Sequence, residues 1–178
     1  MEPALLAELF GILAMAVSFL IYLSNRRKQI IVLKGVSDVL WAANNFTRGA
    51  VSGGGLSVLA IFRSIVFYYR TDRKWAQSPL WKYAFCVLCF ASPILEVINK
   101  QSFQLLPFVP AIGSVLCVYG FYAKEPSRIR LLNFIGQIPW LTYYLLSRNV
   151  SGTISCLIVV TSIVLGFAKE LINKKKDA

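Results

Sequence analysis

Four side chains on one apolar stretch, Lys34, Asp38, Trp41 and Asn45, succeed one another at intervals of four, three and four residues, a spacing that places them on a single helical face. A second stretch carries Asn133, Gln137, Trp140 and Tyr144 at the same offsets. These residue types bind rather than react. Indole faces cover flat solutes, amides and a phenol exchange hydrogen bonds, and a carboxylate beside a lysine makes a charge pair. With Asn44 added, the candidate substrate-binding set is Trp41, Trp140, Asn44, Asn45, Gln137 and Tyr144. Covalent chemistry has little to work with. The chain has no histidine, its carboxylates are scattered, and no nucleophile stands beside a base, so neither a catalytic residue nor a cofactor is expected. Cys86-x-x-Cys89 lacks a second pair or a histidine to complete a metal site. Like Cys117 and Cys156, this pair lies in apolar sequence, where thiols pack as small apolar groups.

The two stripes are in register with each other. A shift of 99 positions lays Trp41 on Trp140 and Val51-Ser52-Gly53 on Val150-Ser151-Gly152 without a gap, which predicts two copies of one unit. The same shift lays Asp38 on Gln137 and Arg63 on Ser162, so the buried charge belongs to the first copy alone. At about 1.5 Å per residue, Asp38 falls about 12 Å from the inner end of its helix and Arg63 about 13 Å from the outer end of the next. Both are then near mid-membrane. An Asp38 to Arg63 ion pair is expected, with Lys34 sharing the carboxylate or reaching toward the cytoplasm. In one reading this cluster is a bolt that locks the first unit; in the other it meets the solute or switches with conformation. Trp41 and Trp140 likewise serve bundle packing in one reading and solute contact in the other.

The elements that carry these residues are membrane spans. With 57% hydrophobic residues, 15% charged and a mean hydropathy of +0.62, 178 residues offer too little interior to hide their apolar surface from water. Seven spans of about the length a bilayer requires are predicted: Ala4 to Leu23, Ile30 to Thr47, Gly54 to Tyr69, Pro79 to Asn99, Phe103 to Ala123, Ile129 to Ser147, and Thr153 to Lys169. The expected fold is all-α and polytopic, in a 3+1+3 arrangement. Residues 1–70 form the first three-helix repeat, 71–102 the linker helix, 103–170 the second repeat and 171–178 a basic cytoplasmic tail. A net charge of +11 does not signal nucleic acid, because the basic residues sit between the spans. One set of connections holds most of them, whereas the other holds Arg48, Lys100 and Arg148. The positive-inside rule then puts the N-terminus outside and the C-terminus in the cytoplasm. Glu2 and Glu8 precede the first apolar run and Arg26-Arg27-Lys28 follows it. That is the reverse of a cleaved signal peptide, so a retained span is expected.

Helix breakers are unequally shared. Pro107 and Pro110 lie early in the fifth span, Pro139 in the middle of the sixth and Pro93 in the linker helix; the first three are candidate hinges. Ser52-Gly53-Gly54-Gly55 and Val150-Ser151-Gly152 are expected to turn outside the membrane. Gly11, Gly35, Gly113, Gly120 and Gly136 are expected to permit close helix approach.

The run Gly53 to Arg63 (GGGLSVLAIFR), Leu105-Leu106-Pro107 through Gly113, and Trp140 followed by Val150-Ser151-Gly152-Thr153 resembles the YgjV-type bacterial inner-membrane protein family over nearly the full chain. The resemblance extends to the plan of SWEET sugar uniporters and the PQ-loop (MtN3-like) group. It implies two parallel three-helix bundles about a central pathway in a bacterial inner membrane, with Trp41 and Trp140 at the positions of the pocket tryptophans. The asparagines such proteins carry on their third and seventh helices are replaced here by residues such as Ala60 and Val159. The Pro-Gln signature is also absent, and Gln137-Ile138-Pro139 runs in the opposite order. The expected function is a carrier of a small polar solute by alternating access. The alternative is a non-transporting receptor, partner or assembly protein on the same scaffold. Expected partners are the lipid bilayer and the solute, either as one chain or as a homo-oligomer.

Overall fold

The computed structural model describes residues 3–47, 51–100, 105–106, 108–146, 148 and 150–176. Pro107 and Arg48 lie outside them. The helices are α1 (Pro3–Ile21), α2 (Arg27–Thr47), α3 (Val51–Tyr69), the single turn α4 (Lys74–Gln77), α5 (Leu80–Leu88), α6 (Ala91–Lys100), α7 (Phe108–Tyr122), α8 (Pro126–Leu146) and α9 (Val150–Lys176). The described residues contain no strand. Gly152–Asn173, with a mean hydropathy of 1.9, is the one described helix long and apolar enough to cross a membrane by those criteria. Leu5–Ile21, Gly54–Tyr69, Leu80–Leu95 and Phe108–Tyr122 are apolar but shorter.

Within each trio the middle helix packs against both neighbours: α2 on α1 and α3, α8 on α7 and α9. The trios join where α1 meets α9 and where α3 meets α7, so six helices close a ring in the order α1, α2, α3, α7, α8, α9. At one seam Ser162 donates to the Phe19 carbonyl. At the other the Arg63 guanidinium lies 5.3 Å from the centre of the Phe121 ring. The α5 helix packs outside the ring against α7.

The apolar surface is turned outward. Ile12 is 62% exposed and Ile138 58%, whereas Asp38 is 5% exposed and Asn133 1%. The compact apolar core, including Ile21, Ile30, Phe67, Val118 and Ile129, gathers at one end of the ring. Phe67 meets Phe85 edge-on at 5.5 Å there, and Arg27, Arg70 and Arg130 surround it; this is the basic end.

Several boundaries differ from expectation for local reasons. The linker span divides between α5 and α6 at Cys89 and Phe90, because Pro93 has no N–H to return to the Cys89 carbonyl four residues earlier. The two Val-Ser-Gly segments are helical, not turns: they open α3 and α9. Glycines there admit rings, since a Cβ at Gly54, the residue after the first segment, would lie 2.5 Å from the Phe46 ring and one at Gly152 would collide with Tyr144. Helix α9 continues to Lys176, so the basic tail extends that helix. Pro110 occupies the first turn of α7, where an amide proton would have no partner within the helix; it starts the helix rather than bending it. Pro139 sits in the interior of α8, where a missing amide proton can bend a helix.

Candidate functional site

A cavity of about 910 Å³ occupies the ring, between α2 and α8. It is lined by Trp41, Asn44 and Asn45 from α2, by Gln137, Trp140 and Tyr144 from α8, and by Lys34, Asp38, Arg63 and Pro110. The two stripes therefore share one space. Their period of about 3.6 keeps each stripe on one side of its helix, and the flanking helices of each trio turn the middle helix's polar face inward.

The lining residues are committed to different degrees. Asn44 is buried, and its Nδ2 donates to the Ala7 carbonyl at 2.5 Å, joining α2 to α1. Asn45 Nδ2 donates to Ser57 Oγ at 3.3 Å. Gln137 Oε1 accepts from the Cys156 thiol at 2.9 Å. Trp140 and Tyr144 form a tilted aromatic pair, their centroids 5.5 Å apart. A Cβ at Gly113 would lie 2.8 Å from Trp140 Cδ1 and 2.6 Å from the Gly136 carbonyl oxygen, so the contact of α7 with α8 also sets the indole's place.

Deeper in the cavity, Asp38 lies between two cations. Lys34 Nζ pairs with its Oδ1 one turn earlier on the same helix, and Arg63 Nη2 lies 3.6 Å from Oδ2. Neither Asp38 Oδ2 nor Arg63 Nε has a hydrogen-bond partner, and the same holds for Asn133 Oδ1.

Beyond the cavity floor, the basic end is held by a clasp whose arginines, Arg27 and Arg130, stand out in the sequence only as positive charge near the ends of spans. Arg27, at the start of α2, donates from Nε to the Ala123 carbonyl at 2.8 Å and from Nη2 to the Phe67 and Phe121 carbonyls. Arg130, near the start of α8, donates to the Tyr22 carbonyl at 3.0 Å, to the Ser24 carbonyl at 2.6 Å and to Glu170 at 2.7 Å. Each arginine thus satisfies the open carbonyls at the end of the other trio's first helix, groups that no further turn can reach. The acceptors correspond under the 99-residue shift: Tyr22 with Phe121, and Ser24 with Ala123. A second pair of bonds obeys it completely. Arg70 donates to the Tyr122 carbonyl and Lys169 to the Leu23 carbonyl, and 70 to 169 and 23 to 122 are both steps of 99. The donor arginines themselves, at 27 and 130, are one helical turn out of register, so an ungapped overlay does not align them. Burial draws the Arg27 guanidinium down to about 10, with Arg70 adding to the shift and Asp72 opposing it; it remains a cation at neutral pH.

A helical ring with an apolar outside and a polar interior is the architecture of an α-helical integral membrane protein, whose solvent on the outside is lipid. Residues 5–172 match the model of the Imp-YgjV family, described as bacterial inner membrane protein, and the chain belongs to that family. No curated protein and no solved structure matches it.

Proposed function

We propose that this inner membrane protein carries a small polar solute by alternating access, with the cavity between α2 and α8 as its pathway. The observation that carries the proposal is that one cavity brings together the six candidate solute-contacting residues of both stripes. In this reading the chain makes seven spans in a 3+1+3 order, similar in plan to SWEET and PQ-loop proteins. α5 and α6 together form the fourth span and the C-terminus is cytoplasmic. Trp75, Trp81 and Tyr83 are exposed beside Lys74 and Lys82 at the basic end, an aromatic belt suited to a membrane interface. The paired bonds related by 99 residues support two equivalent units that can rock against each other. The clasp closes the cytoplasmic end, so the described conformation is inward-closed. Opening inward would release Arg27 and Arg130 from carbonyls of the opposite trio. One chain closes the ring, so the proposed carrier unit is a single copy.

Saturable uptake of solute into proteoliposomes of purified protein, lost in the Trp41→Ala, Trp140→Ala double variant with folding retained, is the expected result. Absence of flux for every member of a panel of sugars, amino acids and small organic acids, with and without a proton gradient, would transfer the scaffold to the receptor or assembly class.

A further inference from the structure

The inner charge cluster of the proposed pathway holds one more cation than carboxylate. From this we infer that the solute is a small organic anion: a carboxylate that also carries a hydrogen-bond donor such as a hydroxyl. The inference rests on the carrier reading and narrows it. Among the described residues, four charged ones line the cavity, Glu8, Lys34, Asp38 and Arg63. Glu8 is exposed near the start of α1, level with Asn44, whose amide donates to the adjoining Ala7 carbonyl, and so stands about 9 Å along the helix from Asp38 at about 1.5 Å per residue. The other three form one cluster, in which a single carboxylate faces two cations. Among the described residues, α7, α8 and α9 contribute no charged residue to the lining.

One positive charge is therefore in excess where the Asp38 and Arg63 side chains are 6% and 11% exposed. A desolvated cation without a counter-ion is costly, and the Phe121 ring beneath Arg63 lessens that cost without cancelling the charge. The unmet valences point the same way. Arg63 Nε is a buried donor and Asp38 Oδ2 a buried acceptor, each without a hydrogen-bond partner. A solute carboxylate accepts from the first, and a solute hydroxyl donates to the second. A neutral polyol or a zwitterion makes both contacts but leaves the excess charge in place; a hydroxycarboxylate makes both and neutralises it.

The test is titration of tryptophan emission in purified protein, with calorimetry alongside, using matched probes: glycerate, glycerol and serine, then gluconate and glucose. At least one carboxylate is expected to bind saturably where its neutral partner does not. Arg63→Gln is expected to weaken that binding by about tenfold or more, the loss expected for a charge-assisted hydrogen bond. Lys34→Met, which keeps the Asp38 and Arg63 contact, is expected to act in the same direction should Arg63→Gln fail to fold. Asp38→Asn enlarges the positive excess and is expected to tighten binding severalfold. Glycerol or glucose binding as well as its acid, serine binding alone, or Asp38→Asn abolishing carboxylate binding would overturn the inference and leave a carrier of another solute class. If no probe binds and none is transported, both the inference and the carrier reading fall.

Discussion

Arg130 is fully buried, and its guanidinium is spent on two backbone carbonyls of the opposite trio, on Asn25 and on Glu170. Arg130→Met would keep much of the side chain's length but remove the ion pair with Glu170 and leave the carbonyls of the α1 end without their donor. A loss of roughly 3 kcal/mol is expected, as for a broken buried pair, read as a lowered Tm of the purified protein. Gly166 belongs to the same clasp, since a Cβ there would lie 2.8 Å from Arg130 Nε. The exposed pair at this end behaves differently. Lys28 donates to Asp72 at 2.6 Å, and this bond, then that from Thr71, holds the Asp72 carboxyl below the usual carboxylate range. The Lys28 ammonium is held above the usual lysine range by the same bond. The pair's contribution is thus present above the unfolded carboxylate value of about 3.9 and lost as pH falls through the lower folded value. At the alkaline side it is lost as pH rises through the folded value of Lys28. Thermal unfolding curves of Asp72→Asn and the parent should converge as pH falls through and below the usual carboxylate range and separate slightly toward neutrality.

Among the helices, the contact of α7 with α8 depends on two glycines facing each other. A Cβ at Gly136 would lie 2.9 Å from the Gly113 carbonyl oxygen and 3.1 Å from Cys117 Sγ, and backbone cannot yield as a flexible side chain does. Gly136→Ala should cost about 1–3 kcal/mol through overpacking and shift the tryptophan emission maximum, because Trp140 rides on the same contact. The equivalent crossing of α1 with α2 is polar, with Ser18 and Ser37 hydrogen-bonded at 2.8 Å. Gly113 and Gly136 are legible in the sequence as sites of close approach. The opening of α3 and α9 is not. A Val-Ser-Gly run beside a loop reads as a turn from local propensity, and the rings of Phe46 and Tyr144 that lie against Gly54 and Gly152 belong to the preceding helices.

For the molecule as a whole, the proposed orientation makes a direct prediction. A fluorescent protein fused after residue 178 should fluoresce, and alkaline phosphatase at the same place should be inactive; the opposite pair of results would invert the bundle and place the clasp outside. Composition alone dictates the solvent, because a chain this apolar and this short cannot cover itself. Periodicity alone dictates which polar residues share a face, because helix geometry is local, and so Trp41 and Asn45, or Gln137 and Trp140, can be grouped before any coordinates exist. Which faces meet is a different kind of fact. That both stripes line one cavity, that Asp38 is shared by Lys34 and Arg63, and that Arg27 and Arg130 each close the other trio's first helix depend on helices far apart in the chain. Residues such as Arg27 and Ala123 acquire their meaning only when packing brings a donor to carbonyls that have none of their own.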